Sequence, residues 1–366
     1  MRKTWLSLLA IVMLVPLMAT RIEGQAGAQK PLEIYFIDTE GGQATLFVTP
    51  SGESLLWDTG TNDAKKMQAE SIMKAIKEAG LQQLDYVVVS HYHGDHVGNA
   101  TELANRLPIR TWYDHGAYTT ENQPNRATGF LSWLPTRERV RVIVPKPGDK
   151  IPIAGLDVTF VSGSGNLLKS AVPGAPGAGA ANPFCKEFAT KVMDPTPENR
   201  ESLGSVITFG SFRMLNLADL TWNQEHELAC PNNLLGTFDV YHTTRHGTAW
   251  GGAPSLVHAT RARVAIMNNG PRKGGEVETW NIIHGLPNVD LWQLHYSVLV
   301  DKAHNPPENM VANMDDVDHG YAFKMSVKPD GSFTLLNQRT GFAKDYPAKS
   351  AGPGARSTGT PTTSSR

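Results

Sequence analysis

The stretch "LDYVVVSHYHGDHVGNA", Leu84 to Ala100, most constrains what this chain can become. A continuous apolar run of strand-forming residues, the kind buried on both faces of a sheet, ends abruptly in a cluster of titratable groups. His91 and His93 are separated by one residue, so at the end of an extended segment both side chains leave from one face. Asp95 and His96 are adjacent, open the following helix and point elsewhere, and Gly94 permits the tight turn between the two pairs. A polar loop rich in histidine is the plain alternative. The spacing instead provides two imidazoles for one ion, and a carboxylate and an imidazole for a neighbouring one. Neutral imidazole and carboxylate suit Zn²⁺, with Fe and Mn as competitors, and either one or two ions would fit.

A chain of 366 residues, 40% hydrophobic and 19% charged, can bury a large core. Its 34 basic and 35 acidic residues leave a net charge of −1, with no long run of one sign. This balance does not favour nucleic acid, which calls for a basic excess or stripe, and leaves a small molecule as the expected partner. At the N-terminus Arg2 and Lys3 precede an apolar segment, Trp5 to Ala19, and Ala26 and Ala28 fit the small-x-small pattern of signal cleavage. The apolar run is short for a span of about 20 residues. Residues 1–28 are therefore expected to be a cleaved signal peptide, the mature protein secreted or periplasmic, with no membrane span after cleavage. In that setting Cys185 and Cys230 either pair or stay as two thiols.

Between the signal and a Ser/Thr/Gly/Pro-rich tail at 347–366, expected to be disordered, residues 29–346 read as one domain of α/β (α+β) class. Short strands recur in both halves, with helices between them. A helix is expected from about Ala64 to Ala79, stopped by Gly80, and another over "NATELANRL". "RVRVIV" and "LDVTFV" read as strands, "SVITFG" and "FRMLNLAD" as a hairpin, and Asp330-Gly331 as the turn of a second hairpin. The Gly/Ala/Pro-rich insert at about 163–183 is expected to be a mobile surface loop.

The quoted cluster resembles the signature of the metallo-β-lactamase superfamily, which implies an αββα sandwich of two mixed sheets with the site at one sheet edge. "WDTG" resembles that family's early aspartate motif, so Asp58 would brace the metal loop from behind. "NLADL" resembles the motif whose carboxylate, here Asp219, bridges both ions. "TTRHGT" resembles its later His-His-Gly motif, making His246 the remaining ligand of the second ion. The resemblance thus implies His91, His93, Asp95, His96, Asp219 and His246 as ligands, with Asp95 and Asp219 also handling charge and proton. Within the superfamily, "FIDTEGGQATLFVTPSGESLLWDTG" is most similar to the hydrolase domain of bacterial competence proteins. Two departures stand out. Arg245 replaces the first histidine of His-His-Gly, and "LDVTFVSGSG" has Ser162 and Gly163 where the family often carries a third histidine for the first ion.

The implied function is an exported hydrolase in which a metal-activated hydroxide attacks an ester, phosphodiester or lactone-type bond. A β-lactam hydrolase and a non-catalytic metal-binding protein on the same fold remain alternatives. His115, Asn269 and Lys273, with Asn268, are candidates for holding substrate, since strand-end loops often do so; each could equally be a plain loop residue. His242 is expected to pack locally, "NMDDVDHG" to be a solvated turn, and the Ser71-x-x-Lys74 pair to belong to an amphipathic helix.

Overall fold

The computed structural model of the chain describes residues 30–63, 65, 67–118, 128–191, 197–315 and 319–349. The proposed signal segment and the tail beyond Lys349 lie outside the described residues. In the first half, β1 (Leu32–Phe36), β2 (Thr45–Val48) and β3 (Ser54–Trp57) form an antiparallel meander. Helix α1 (Met67–Glu78) then crosses over to β4 (Leu84–Val88). From there the chain passes α2 (Gly94–Val97) and α3 (Ala100–Arg106) to β5 (Ile109–Tyr113), then α4 (Thr128–Arg137) to β6 (Val142–Ile143). Strands β3 to β6 run parallel.

The second half repeats that plan. Strands β7 (Lys150–Ile151), β8 (Asp157–Gly163), β9 (Asn166–Leu167), β10 (Gly204–Phe209) and β11 (Phe212–Asn216) pair antiparallel. Helix α5 (Trp222–Ala229) leads to β12 (Val240–His242), α6 (Pro254–Thr260) to β13 (Val264–Met267), and α7 (Val277–His284) to β14 (Asp290–His295) and β15 (Val311–Asn313). Strands β11 to β15 are parallel. The chain then returns to the first sheet, where β16 (Phe323–Val327) pairs with β1 and continues into β17 (Phe333–Asn337) and β18 (Ala343–Tyr346).

Two mixed sheets packed face to face with helices outside is the αββα sandwich, the metallo-β-lactamase fold. Alternation along β4 shows why its whole run is apolar. Tyr86 and Val88 face the core between the sheets, with Trp57, Phe160 and Ile266. Val87 and Val89 face the layer under α1, α3 and α4. Burying each such side chain stabilises the fold by roughly 1.5–3 kcal/mol. A third apolar layer sits between the second sheet and α5, α6 and α7. Among the described residues no helix is long and apolar enough to cross a membrane.

Local signals were mostly honoured. Helix α1 begins three residues later than expected and ends where Gly80, at φ 73°, lets Leu81 N–H reach Ile76 O and Gly80 N–H reach Lys77 O. "RVRVIV" yields only the two-residue β6, because the chain leaves the sheet edge towards Pro145. Both hairpins form as expected.

The Gly/Ala/Pro-rich insert differs from expectation, because it is laid down by its backbone rather than hanging free. Val172 N–H donates to Leu234 O (2.8 Å), Gly179 N–H to Asn233 O (2.7 Å) and Asn182 N–H to Pro231 O (2.9 Å). Just beyond it a disulfide joins Cys185 to Cys230, 45 residues apart. Closing a loop of that length removes about 4 kcal/mol of unfolded-state entropy. Cys185→Ser is therefore expected to lower the melting temperature by roughly 10 °C in a calorimetric scan. An unchanged melt would show that the backbone hydrogen bonds alone hold the strap.

Candidate metal centre

Strands of both sheets deliver their C-terminal ends to one edge of the sandwich. Strand β4 leads to Ser90 and His91, β11 leads to Asp219, and β12 leads into the turn carrying His246. Four non-glycine residues here hold left-handed backbone: Asp58 (φ 61°), Ala218 (φ 50°), Arg245 (φ 54°) and His246 (φ 59°). Each costs on the order of 1 kcal/mol or more and persists only where its surroundings enforce it. Four of the eight such non-glycine residues among those described gather at this edge.

Two groups of ligand atoms meet there. His91, His93 and Asp219 form one group, while Asp95, His96, Asp219 and His246 form the other, with the ligand atoms of each within 4.8 Å of one another. Asp219 belongs to both. Its Oδ1 lies 3.3 Å from His96 Nε2 and 3.2 Å from His246 Nε2, and its Oδ2 lies 4.0 Å from His91 Nε2. Asp95 Oδ2 is 3.5 Å from His96 Nε2 and 3.2 Å from His246 Nε2. His91 Nε2 is 2.9 Å from His93 Nδ1.

The surrounding hydrogen bonds assign which nitrogens are available. Asp58 Oδ1 accepts Ser90 N–H (2.6 Å), and Oδ2 accepts both Ser90 Oγ–H (2.8 Å) and His96 Nδ1–H (2.8 Å). Ser90 Oγ, its proton committed to Asp58, accepts His91 Nδ1–H (3.1 Å). His246 Nδ1 lies 3.2 Å from Asn268 O. The Nε2 lone pairs of His91 and His96 therefore point inward, and His246 Nε2 faces the same carboxylate oxygens. Asp219 Oδ1 is buried there and, among the described residues, is faced only by the His96 and His246 Nε2 atoms. Converging lone pairs on buried nitrogen and oxygen fit a divalent cation, and this donor set suits one bound by imidazole and carboxylate.

Titration follows the same logic. Burial and the neighbouring His96 and His93 hold His91 well below the usual imidazole range, and burial also lowers His93. Burial works against a charged His96, but Asp219, Asp95 and Asp58 raise it well above that range. Burial likewise opposes ionisation of Asp95 and Asp219. His96 with Lys273 holds the first well below the carboxylate range, and His246 with His96 the second.

The candidate substrate residues fare differently. Lys273 does reach the site: its ammonium pairs with Asp95 Oδ2 and donates to Gly41 O (2.8 Å). Asn269 does not, and that expectation is corrected. It is fully buried, donates to His295 O (2.8 Å) and accepts His295 N–H (3.3 Å), so its amide serves to lock β13 to β14. His115 is also corrected from pocket-lining: it is buried and bonds through Nε2 to Glu198 Oε1 (2.9 Å). Asn268 sits behind His246, its Nδ2 3.0 Å from the ring Nδ1. His242 packs edge-on against Phe36, and burial, with His246 and His96 nearby, pushes it down to about 3. Ser162 Oγ donates to Ser202 O (2.9 Å). Asp38 beyond β1 accepts His295 Nε2–H (2.7 Å), tying the two sheets together.

One supporting residue left no signal in the sequence. Glu225 of α5 is fully buried and accepts Ala253 N–H (2.8 Å), closing the loop that carries His246. Burial, against hydrogen bonds from Thr244, Ala253 and Gly252, pushes its carboxyl up to about 7. The folded state then holds a proton that the unfolded chain has already released, so this residue's contribution falls as pH rises from about 4.5 to about 7. Glu225→Gln is expected to remove that loss, about 3 kcal/mol, and to flatten the pH dependence of stability in urea titrations across this range. Parallel profiles for variant and wild type would refute the assignment.

Residues 38–168 match the family model of the metallo-beta-lactamase superfamily, a span holding Asp58, His91, His93, Asp95 and His96. That segment is thus similar to the superfamily's model; Asp219 and His246 lie beyond the matched span and join the site through the fold. A metal-dependent hydrolase of Thermococcus onnurineus is 38% identical over 56 residues, 15% of this chain and 25% of that protein. A coenzyme F420H(2) oxidase of Methanothermobacter marburgensis is 28% identical over 102 residues, 28% of this chain and 22% of that protein. The chain thus spans about a quarter of the length of these relatives. The metallo-beta-lactamase fold protein YhfI of Bacillus subtilis is 15% identical, with a TM-score of 0.44 over 72% of this chain and 96% of that one.

Proposed function

We propose that the chain is an exported metal-dependent hydrolase acting on an ester, phosphodiester or lactone-type bond. The sharing of buried Asp219 between the two ligand groups carries this reading. His91, His93 and Asp219 would hold the first ion, and Asp95, His96, Asp219 and His246 the second. Zn²⁺ suits these donors, with Fe or Mn as competitors. Such ions supply a nucleophile at neutral pH by acidifying water, and they polarise the bond under attack. The chain's own part is to fix the imidazoles through Asp58 and Ser90, to balance charge through Asp95 and Asp219, and to move the proton on one of these carboxylates. Lys273 is the cation at the site and is proposed to meet substrate. Export is supported by the N-terminal pattern and by the Cys185–Cys230 disulfide, which suits an oxidising compartment. Kinship with the competence-protein hydrolase branch is proposed on the turn after β1, whose Gln43 N–H donates to Asp95 O (3.0 Å).

The protein reconstituted with Zn²⁺ should be assayed against bis(p-nitrophenyl) phosphate, a set of lactones and nitrocefin. Turnover of a phosphodiester or lactone, lost on chelation and restored by metal, is expected. Turnover of nitrocefin alone would favour the β-lactam alternative. Stoichiometric metal with no turnover of any substrate would favour a binding role.

A further inference from the structure

The first ion's ligands come from one extended arm, His91-Tyr92-His93, plus Asp219, with no third imidazole. What holds that arm is a residue 106 positions away in sequence. Glu198 stands on a 3₁₀ turn, Pro197–Glu201, that leads into β10 of the second sheet. Its carboxylate nevertheless reaches the arm. Oε1 accepts the Tyr92 N–H (2.6 Å), which belongs to the peptide joining His91 to Tyr92, and also the His115 Nε2–H (2.9 Å). Oε2 accepts the Tyr118 hydroxyl. Five residues later, Leu203 N–H donates to Ser90 O (2.9 Å), so the same segment grips the arm at two points.

Alternation along the arm explains the division of labour. His91 and His93 face the ligand cluster while Tyr92 turns away into an aromatic pocket, its ring 4.1 Å from His115 and 4.9 Å from Phe130. Three donors, the Tyr92 N–H, the His115 Nε2–H and the Tyr118 hydroxyl, converge on the buried Glu198 carboxylate. A charged acceptor makes the tie to Tyr92 one of the stronger kinds of hydrogen bond. Ligand atoms must sit within about 0.5 Å of productive geometry, and a loop achieves that only when its backbone is anchored.

We propose that Glu198 is a positioning residue for the first metal ion, fixing the peptide between His91 and Tyr92 so that the His91 and His93 imidazoles are presented together where a third histidine is lacking. This rests on the two-ion reading above, and it assigns His115 and Tyr118 to holding Glu198 in place.

Co²⁺ titration followed by its d–d absorption, in competition with a chelator, tests the proposal. His93→Ala and His246→Ala identify which binding step belongs to which ion. Glu198→Gln, close in shape, is expected to weaken the step lost in His93→Ala by about tenfold and to leave the step lost in His246→Ala within about twofold. Glu198→Ala should weaken the first step further; if it does not fold by circular dichroism, Glu198→Gln decides alone. Unchanged affinities in Glu198→Gln, or both steps weakened equally, would overturn the proposal while the two-ion reading stands. A wild-type protein that binds fewer than two ions would sink both.

Discussion

Asp219→Ala is expected to abolish binding of both ions and to lower kcat/KM on the best substrate by on the order of 10⁴ or more. Asp219 is the one residue common to both ligand groups, and its side chain is 7% exposed. Removing it leaves His91, His93, His96 and His246 facing one another across a buried space with Asp95 as the sole remaining carboxylate. Imidazoles alone do not balance two dications in a low-dielectric site. Asp219→Asn separates charge from shape, because the amide fills the same volume and cannot neutralise an ion pair. His246→Ala should cost one ion only. Elemental analysis after dialysis reads all three, and two equivalents retained by Asp219→Ala would remove the bridging role and the mechanism with it.

Asp58→Asn is expected to weaken metal binding by about 10–100-fold and to destabilise the fold by about 3 kcal/mol or more. Asp58 does not face the cluster, yet it holds Ser90 N–H, Ser90 Oγ and the outer nitrogen of His96, Nδ1, from a fully buried, left-handed backbone position. Burial pushes its carboxyl upward, against His96 and the two Ser90 donors. An amide keeps at best one acceptor and turns an N–H towards groups that also donate. The tautomers of His96 and, through Ser90, His91 are then no longer enforced. A paired measurement separates the effects: calorimetric metal titration for affinity, and urea unfolding of the metal-free protein for stability. Loss of stability with unchanged metal affinity would reduce Asp58 to a structural role.

Much of this site was legible before any fold was known. An apolar run followed by His-x-His-x-Asp-His carries its geometry locally, because residue spacing along a strand and into a helix start determines which way side chains leave. Asp58, Asp219 and His246 were reachable only through resemblance, since nothing in a single aspartate says it will face a histidine 38 positions later, as Asp58 does, or 123 earlier, as Asp219 does. The errors share a cause. Asn269 and His115 lie in loops next to strand ends, where exposure is the common outcome. Here the loops fold inward, and both side chains are spent on β14 and on Glu198. The Gly/Ala/Pro insert looked mobile because composition speaks to local freedom and is silent about the backbone partners at Leu234, Asn233 and Pro231.

By itself, then, the sequence determined the strand that leads into Ser90, the ligand types that follow it and the approximate charge of the whole, because these depend on neighbours a few residues apart. Only the tertiary structure decided that one carboxylate serves two ligand groups, that Asp58 and Ser90 set two imidazole tautomers, and that Glu198 bonds the backbone between His91 and His93. Those facts arise where the ends of β4, β11 and β12 and the turn before β10 converge across two sheets. Local sequence pattern does not encode convergence of that kind.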